Sequence, residues 1–437
     1  MEKLVIDGGV PLSGSVTPAG NKNAALPILA ASLLTAEDVL VRNVPRIRDV
    51  TAMVELLRLL GVHAKWQGPN ELLLCARDVD ETSTVDRAQA ERIRASFLLA
   101  GPLLARFGRA VMPPPGGDVI GRRRLDPHLD ALRALGTVDV TDESEIVLTA
   151  PDGLRAGEVF MDEPSVMATE NALMAAALTH GTTIIGNAAC EPHVQDLARM
   201  LVSMGALIDG IGSNRLVVHG QATLHGCEHT VGPDHIEIGS FMAAAGMTGG
   251  EIRILDVHPE DLRMVKLVFG RLGLRSEFEG NDLLVPGGQD LQVARDMGDH
   301  IFKVQDGPWP QFPADLTSIA VALATQSRGQ VLIHEWMFES RLFFCDKLVS
   351  MGAQIHISDP HRALVMGPAP LRGARVSSPD IRAGMAVLLA ALCAEGRTEI
   401  AEIHQIDRGY ERIDERLRAL GARIERVDAD VSAPAAA

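Results

Sequence analysis

The chain of 437 residues has very few aromatic side chains: 11 Phe, three Trp and one Tyr, which is 3% of the sequence. Because hydrophobic residues still make up 46%, a core has to be filled by Ala, Leu, Ile, Val and Met. The sequence also lacks the combination of low hydrophobicity and high charge that is typical of disordered proteins. The length and the apolar fraction therefore predict a folded protein of two to three domains.

Basic residues are scarce too, since 41 Lys and Arg face 57 Asp and Glu and give a net charge of −16. Such a surface repels nucleic-acid backbones, so no nucleic-acid partner is expected. The five cysteines form no C-x-x-C pair, which indicates neither a disulfide framework nor a zinc ribbon. The apolar runs are too short to span a bilayer, and the N-terminus has no signal-peptide core. We expect a cytoplasmic protein with no membrane partner.

One sequence motif recurs six times along the chain: an amphipathic segment rich in Leu or Met, then a glycine, then a short predicted strand. Its glycines are Gly61, Gly136, Gly205, Gly273, Gly352 and Gly421, at intervals of 68 to 79 residues. A glycine at this place is typical of a helix C-terminus. Upstream of each copy of the motif lies a second segment that is apolar on nearly all faces, which predicts a buried helix. The pattern therefore predicts the order helix, strand, helix, strand, strand in each unit. For the whole chain it predicts an α/β fold in which the six units form two groups of three.

The residues before the first buried helix need strand partners of their own. A closed arrangement would place them with the last three units. This predicts a discontinuous domain, 1–21 plus 233–437, and a continuous domain, 22–232. The tail, 428–437, is rich in Ala and is expected to be disordered.

Polar residues break the repeat at two places in the units. The buried helices open with charged, amide or hydroxyl side chains: Lys22, Asn23, Arg94, Ser96, Ser165, Thr169, Asp315, Thr317 and Arg382. The loops before the exposed helices carry a second set: Asp118, Arg122 to Arg124, Glu191, His193, Glu339, Arg341, Asp407 and Arg408. Helix N-termini attract anions, and added cations favour a ligand with several negative charges. The alternative is a set of solvated caps and surface ion pairs.

The loop at about 113–124 combines three prolines, two adjacent glycines, Asp118 and three consecutive arginines. It is either an exposed loop with balanced charges or a mobile lid that brings an acid to a ligand. It is not a P-loop, because no G-K-[ST] follows the glycines. The sequence also has no H-x-x-x-H or H-E-x-x-H pair on a predicted helix, so it indicates no metal. It has no G-x-S-x-G nucleophile elbow either.

Seven segments resemble, in order, the UDP-N-acetylglucosamine 1-carboxyvinyltransferase family over about residues 1–427. They are GNKNAALPILAASLL, RIRASFLLAGPL, PPGGDVIGRRRLDPH, NAACEP, FPADLTS, FESR and IDRGYERI. The resemblance implies a two-domain inside-out α/β barrel, the enolpyruvyl transferase fold, with three of the six units in each domain. It also implies transfer of the enolpyruvyl group of phosphoenolpyruvate to the 3-hydroxyl of UDP-N-acetylglucosamine, with release of phosphate and without a cofactor or metal. The match to the sibling enolpyruvylshikimate-phosphate synthase is much weaker.

The resemblance also implies roles for individual residues. Those expected to bind phosphoenolpyruvate are Lys22, Arg94, Arg123, Arg382 and Arg408. The expected catalytic set is Asp118 as general acid and Asp315 as acceptor of the hydroxyl proton, with Lys22 and Arg408. The expected UDP-sugar set is Asn23, Arg94, Arg123, Arg124, Leu125, Asp126, His128, Ser165, Val166, Asp315, Met337 and Phe338.

The chain departs from the family pattern at several positions. Asp118 stands where most members have the Cys that fosfomycin alkylates, so we expect insensitivity to that epoxide. Glu163, Met167, Cys190 and His193 replace other common residues on the nucleotide side. Two alternatives therefore stay open: an enolpyruvyl transferase with another nucleotide acceptor, and an inactive paralogue that binds a UDP-sugar.

Overall fold

The computed structural model describes residues 2–117, 121, 123–141 and 144–428. Two strands open the chain, β1 (Glu2–Asp7) and β2 (Ser13–Val16). The first unit contains α1 (Lys22–Ala31), β3 (Asp38–Arg42), α2 (Arg48–Leu59), β4 (His63–Trp66) and β5 (Leu72–Cys75). The second contains α3 (Arg87–Ala90), α4 (Ala100–Phe107), β6 (Arg109–Met112), α5 (Asp126–Ala134), β7 (Val138–Thr141) and β8 (Ile146–Thr149). The third contains β9 (Glu158–Phe160), α6 (Val166–Ala177), β10 (Gly181–Gly186), α7 (Pro192–Ser203), β11 (Leu207–Asp209) and β12 (Arg215–Gly220), followed by β13 (Glu228–Thr230).

The second half of the chain repeats this order. The fourth unit contains α8 (His235–Thr248), β14 (Glu251–Ile254), α9 (Arg263–Arg271), β15 (Glu277–Glu279) and β16 (Asp282–Val285). The fifth contains β17 (Phe302–Gln305), α10 (Thr317–Gln326), β18 (Gly329–His334), α11 (Cys345–Ser350), β19 (Gln354–Asp359) and β20 (Arg362–Gly367). The sixth contains β21 (Arg375–Ser377), α12 (Ile381–Cys393), β22 (Arg397–Ala401), α13 (Ile413–Ala419) and β23 (Arg423–Asp428). Short 3-10 turns lie at Ser32–Leu34, Arg94–Leu99, Pro259–Leu262, Ala314–Leu316, Arg341–Phe344 and Ile403–Arg408.

The predicted order of helix, strand, helix, strand, strand is confirmed in the units. All six repeated glycines have positive φ, from 92° at Gly136 to 104° at Gly352, as expected where a helix ends in the left-handed region. The sequence pattern missed a short parallel strand at the edge of several sheets, such as β9 beside β10 and β17 beside β18. These strands have three or four residues and are held by pairing with a neighbour, so they carry little pattern of their own.

The N-terminal segment pairs with later units, as expected. Strand β1 lies between β22 and β23 and is antiparallel to both, so it completes the sheet of the sixth unit. Strand β2 runs parallel to β14 in the sheet of the fourth unit. In the first half, β13 closes the chain back onto β3 of the first unit. The chain passes between the two groups of units near residue 21 and again near residue 233. These two segments lie side by side, because Asn21 N donates to Gly232 O (2.8 Å) and Asp234 N donates to Ala19 O (2.9 Å).

Buried hydrophobic side chains form two clusters that share no residue. One contains residues of 4–16 and 236–424, and the other residues of 24–231. At the centre of the first, α8, α10 and α12 pack against one another, and α4 packs against α6 in the second. These helices are rich in Ala and Gly, which lets them approach closely: a Cβ on Gly101 would lie 2.6 Å from Asn171 O. We propose 1–21 plus 233–437 and 22–232 as the two domains on this basis.

Asp428 ends strand β23, and the rest of the expected disordered tail lies outside the described residues. No helix in the described part of the chain is long and apolar enough to cross a membrane.

Candidate active site

A cavity of about 250 Å³ lies between the two halves of the chain. Ten of the residues expected at the site line it: Lys22, Asn23, Arg94, Arg123, Val166, Asp315, Met337, Phe338, Arg382 and Arg408. The buried helices place many of these side chains, because α1, α6, α10 and α12 all begin at or next to its wall. The structure thus brings predicted residues from five of the six units into one cleft, and His235 of the fourth unit lines it as well.

Lys22 and Arg408 both form ion pairs with Asp49, a residue that the sequence pattern did not single out. Asn21 caps α1 by accepting hydrogen bonds from Asn23 N and Ala24 N, and Lys22 Nζ lies 2.7 Å from Asp49 Oδ2. Arg408, from the other half, donates from Nε to Asp49 Oδ1 at 2.9 Å. Burial by itself would raise the pKa of Asp49, but Lys22 and Arg408 outweigh burial and hold that pKa below its ordinary value. Asp49 is therefore a carboxylate that joins two cations across the cleft.

Asp315 lies on the 3-10 turn before α10, and its side chain is 27% exposed to the cavity. It accepts from Arg341 Nη2 (3.1 Å), from Arg382 Nε (3.1 Å) and from Asn23 Nδ2 (3.5 Å). Burial opposes ionisation, but Arg382, Arg341 and Lys22 together hold the pKa of Asp315 well below its usual range. A carboxylate that is both ionised and reachable can accept a proton from a bound hydroxyl once its cations are drawn elsewhere.

Arg94 connects the cavity wall to the loop that follows Asp118. Its Nη2 donates to the backbone oxygens of Arg123 (2.8 Å) and Arg124 (3.0 Å). Burial and the nearby charge of Arg123 lower the pKa of Arg94 to about 10, so it stays a cation at neutral pH. Two positive side chains are thereby held together on this wall, which favours an anionic ligand.

Arg382 is held at the start of α12. Asp380 caps this helix by accepting from Arg382 N and Ala383 N, and the guanidinium lies 5.6 Å from the centre of the Tyr410 ring. Burial is the main reason that the pKa of Tyr410 is raised to about 12. The phenol is therefore neutral beside the cation.

Five residues expected to bind the UDP-sugar are not among those that line the cavity: Arg124, Leu125, Asp126, His128 and Ser165. Arg124 instead lies 2.8 Å from Asp162 Oδ2 and 3.3 Å from Asp126 Oδ2. His128 is buried, pairs through Nδ1 with Asn171 Nδ2 at 2.9 Å, and packs edge-on against Phe97. Their roles toward a nucleotide stay predictions.

The expected general acid, Asp118, lies outside the described residues, as does Arg122. Gly117 and Arg123, on either side, line the cavity. A Cβ on Gly117 would lie 2.9 Å from Arg94 Cβ, so the glycine permits this close approach of the loop to the wall.

A further part of the cavity wall consists of acids, imidazoles and an indole. Its residues are Glu170, Glu191, His193, His235 and Trp309. Burial raises the pKa of Glu170 well above its usual value. Burial also lowers the pKa of His193 to about 3, so this imidazole is neutral at pH 7. Trp309 comes from the second half and accepts through its backbone oxygen from Cys190 Sγ at 3.3 Å. Burial raises the pKa of Cys190, which agrees with a packed thiol rather than a nucleophile.

The repeat contained a signal for two missed residues. Asp49 lies in the first turn of the exposed helix of the first unit, close to the place at which Arg124, His193 and Arg341 stand in other units. His235 is the first residue of the buried helix of the fourth unit. Glu170 and Trp309 had no such signal, because they lie within a buried helix and in an irregular loop. In the described parts of the chain, no group of three or more His, Cys, Asp or Glu is placed to hold a metal ion.

Six α/β units in two groups, with a cationic cleft between them, are the architecture of the enolpyruvyl transferases. A solved structure of this class, the enolpyruvyl transferase NikO from Streptomyces tendae, superposes with a TM-score of 0.87 at 26% identity, over 98% of this chain and 99% of that one. The family model of EPSP synthase (3-phosphoshikimate 1-carboxyvinyltransferase) matches residues 6–417.

Curated relatives narrow the class. UDP-N-acetylglucosamine 1-carboxyvinyltransferase of Bradyrhizobium diazoefficiens is 54% identical over 97% of this chain and 98% of its own length. The protein of the same name from Treponema denticola is 51% identical over 97% of this chain and 99% of its own length. The chain belongs to the EPSP synthase family and, within it, to the UDP-N-acetylglucosamine 1-carboxyvinyltransferases.

Proposed function

We propose that the protein transfers the enolpyruvyl group of phosphoenolpyruvate to the 3-hydroxyl of UDP-N-acetylglucosamine and releases phosphate, the first committed step of peptidoglycan synthesis. The observation that carries this proposal is the cleft itself, in which cations from both halves surround Asp315. Full-length relatives of that name at 54% and 51% identity support the choice of acceptor. A cytoplasmic location follows from the proposal, because both substrates are charged phosphorylated metabolites that do not cross membranes unaided.

The cationic wall suits phosphoenolpyruvate, which carries a phosphate and a carboxylate. We assign its binding to Lys22, Arg94, Arg123, Arg382 and Arg408, since Arg offers two parallel donors to such groups and Lys a compact charge. Binding the anion would also relieve the mutual repulsion of cations that Asp49 and Asp315 now balance. The anion therefore completes the charge balance of the cleft.

Two proton transfers are required. The sugar hydroxyl loses a proton to Asp315, while the vinyl methylene gains one from the general acid, which we assign to Asp118. A carboxyl group can be such an acid if closure of a dry site raises its pKa. Asn23, which donates to Asp315, is assigned to the sugar and the tetrahedral intermediate. Met337 and Phe338 would contact the sugar from the neighbouring wall.

A second candidate is the same transfer to another nucleotide. It is favoured by the surroundings of Arg124, where Asp162 and Glu163 place carboxylates at 2.8 and 4.0 Å from Nη1 on the expected nucleotide side. Phosphate release from phosphoenolpyruvate, measured with UDP-N-acetylglucosamine and with a panel of other nucleotides, separates the candidates. We expect release with UDP-N-acetylglucosamine. Release only with another nucleotide would support the second candidate, and none at all the inactive paralogue.

We expect fosfomycin to leave the activity unchanged, and Asp118→Cys to make the enzyme sensitive. A thiolate opens the epoxide of the drug far more readily than a carboxylate does. The measurement is residual activity after preincubation, with mass spectrometry of the intact chain. The parent serves as the matched control. Time-dependent inactivation of the parent, with an adduct at Asp118, would contradict the expectation.

A further inference from the structure

Glu335 is a buried acid next to the cleft that none of the steps above uses. It follows strand β18 and is 0% exposed, and neither carboxyl oxygen makes a hydrogen bond of ordinary length and angle within the described residues. The Asp306 carboxylate and the Thr317 hydroxyl face Glu335. Its neighbour Arg341 is also buried, and Arg341 Nε makes no hydrogen bond in the described structure. Buried polar groups without partners are rare in folded proteins and call for an explanation.

The two groups face each other across a short gap. Arg341 Nε lies 3.9 Å from Glu335 Oε2, which is within ion-pair range but longer than a hydrogen bond. The other edge of the same guanidinium is engaged, since Nη2 donates to Asp315 Oδ1 (3.1 Å) and Nη1 to Ala314 O (3.2 Å). One guanidinium thus lies between the half-buried carboxylate of Asp315, to which it is hydrogen-bonded, and the buried carboxyl group of Glu335, which is about 1 Å too far for a hydrogen bond.

This arrangement bears on the base in the proposed reaction. A carboxylate held by Arg341 and Arg382 takes up a proton poorly, because both cations stabilise its charged form. Phosphoenolpyruvate would draw Arg382 toward its own negative groups. Arg341 needs a different partner, and Glu335 is the carboxyl group placed on its far side.

We propose that Glu335 is a positioning residue for the base, which draws Arg341 away from Asp315 as the hydroxyl proton arrives. This role rests on the proposed function. The O–H bond of the sugar breaks, the proton forms a bond to an oxygen of Asp315, and the electron pair stays on the sugar oxygen that attacks the substrate. The Nη2 hydrogen bond of Arg341 to Asp315 lengthens while Nε–H closes onto Glu335, which gains and loses no proton in this step.

The charged groups around Glu335 determine how its ionisation, and with it kcat, depends on pH. Burial raises the pKa of Glu335 to about 9, Arg341 opposes that shift, and Asp306 adds to it. Arg341 is faced in turn by Asp315, Asp380 and Arg382, and His361 reaches only the backbone oxygen of Glu335. Below about pH 9 Glu335 is a neutral acceptor. Above it, a carboxylate pulls Arg341 more strongly, so Asp315 becomes a stronger base and kcat rises.

Two variants test this role in the full-length enzyme. Glu335→Leu removes the acceptor, and we expect kcat at about pH 7.5 to fall about tenfold or more with both KM values within about threefold. Glu335→Gln keeps an acceptor oxygen but cannot ionise, so it should retain most of kcat at that pH and lose the rise near pH 9. Glu395→Gln, an exposed site in the same half, is the control and should follow the parent at every pH.

The outcomes separate this role from the proposed function. An active parent with unchanged kcat in Glu335→Leu, or with the same alkaline rise in Glu335→Gln, would overturn the role of Glu335 alone. A parent without turnover would overturn the proposed function and this role with it. Melting temperatures of the variants, compared with that of the parent, show whether the Leu substitution has disturbed the fold. If it has, the pH dependence of kcat in Glu335→Gln decides the test.

Discussion

Asp315→Asn is expected to lower kcat by about 10³-fold or more, while the affinity for both substrates stays within about tenfold of the parent. The amide has the shape of the carboxylate but cannot take the hydroxyl proton. It also leaves Arg341 and Arg382 without their shared counterion, so binding of the phosphoenolpyruvate anion should not weaken.

Single-turnover kinetics and calorimetric binding measure the two effects separately. Asp290→Asn is a matched control, because this exposed carboxylate pairs with Arg328 and neither residue lines the cleft. Turnover in Asp315→Asn close to that of the parent would remove Asp315 from the role of base. A loss confined to binding would make it a substrate anchor instead.

Asp49→Asn is expected to reduce the free energy of unfolding at neutral pH by about 3 kcal/mol or more, because it removes the buried carboxylate that Lys22 and Arg408 share. The sign of the pH dependence follows from the lowered pKa of Asp49. The contribution is complete above the pKa of the unfolded state and is lost as pH falls through the lower pKa of the folded state. The difference between parent and variant should therefore shrink below about pH 4.

Urea unfolding at several pH values tests this prediction. Asp78→Asn is the control, since Asp78 is 64% exposed and pairs only at the surface with His63; its expected effect is under about 1 kcal/mol. Equal midpoints for Asp49→Asn and the parent at neutral pH would show that the contacts of Asp49 with Lys22 and Arg408 contribute no net stability.

The architecture was predictable because it repeats. Each glycine that ends an exposed helix, such as Gly61 or Gly421, marks the same point in its unit, and buried helices rich in small residues mark another. These helices pack closely through Ala and Gly, which explains how a chain with 3% aromatic residues forms two cores. The short edge strands were missed, because three residues paired on one side leave no recognisable period.

The site was predictable only in part. Lys22, Asp315 and Arg382 stand at equivalent helix starts, so the repeat brings them into one cleft, and this concentration of cations coexists with a net charge of −16. Asp49 lies near the start of an exposed helix, as Arg124 and Arg341 do in other units, but it is acidic, and the residues expected from the sequence to bind anions are basic. Glu170 and Glu335 could not be found from sequence, because what singles them out is that buried carboxyl oxygens make no hydrogen bond within the described residues, which depends on the packing of distant segments.

The most direct test of the proposed function is the identity of the nucleotide product. The protein, phosphoenolpyruvate and UDP-N-acetylglucosamine would be incubated together, and the nucleotide analysed by mass spectrometry and by NMR of the sugar ring. We predict one enolpyruvyl group attached through an ether bond at the 3-position, with one phosphate released for each product formed. Unmodified UDP-N-acetylglucosamine at the end of the reaction, with phosphoenolpyruvate intact, would contradict the assignment.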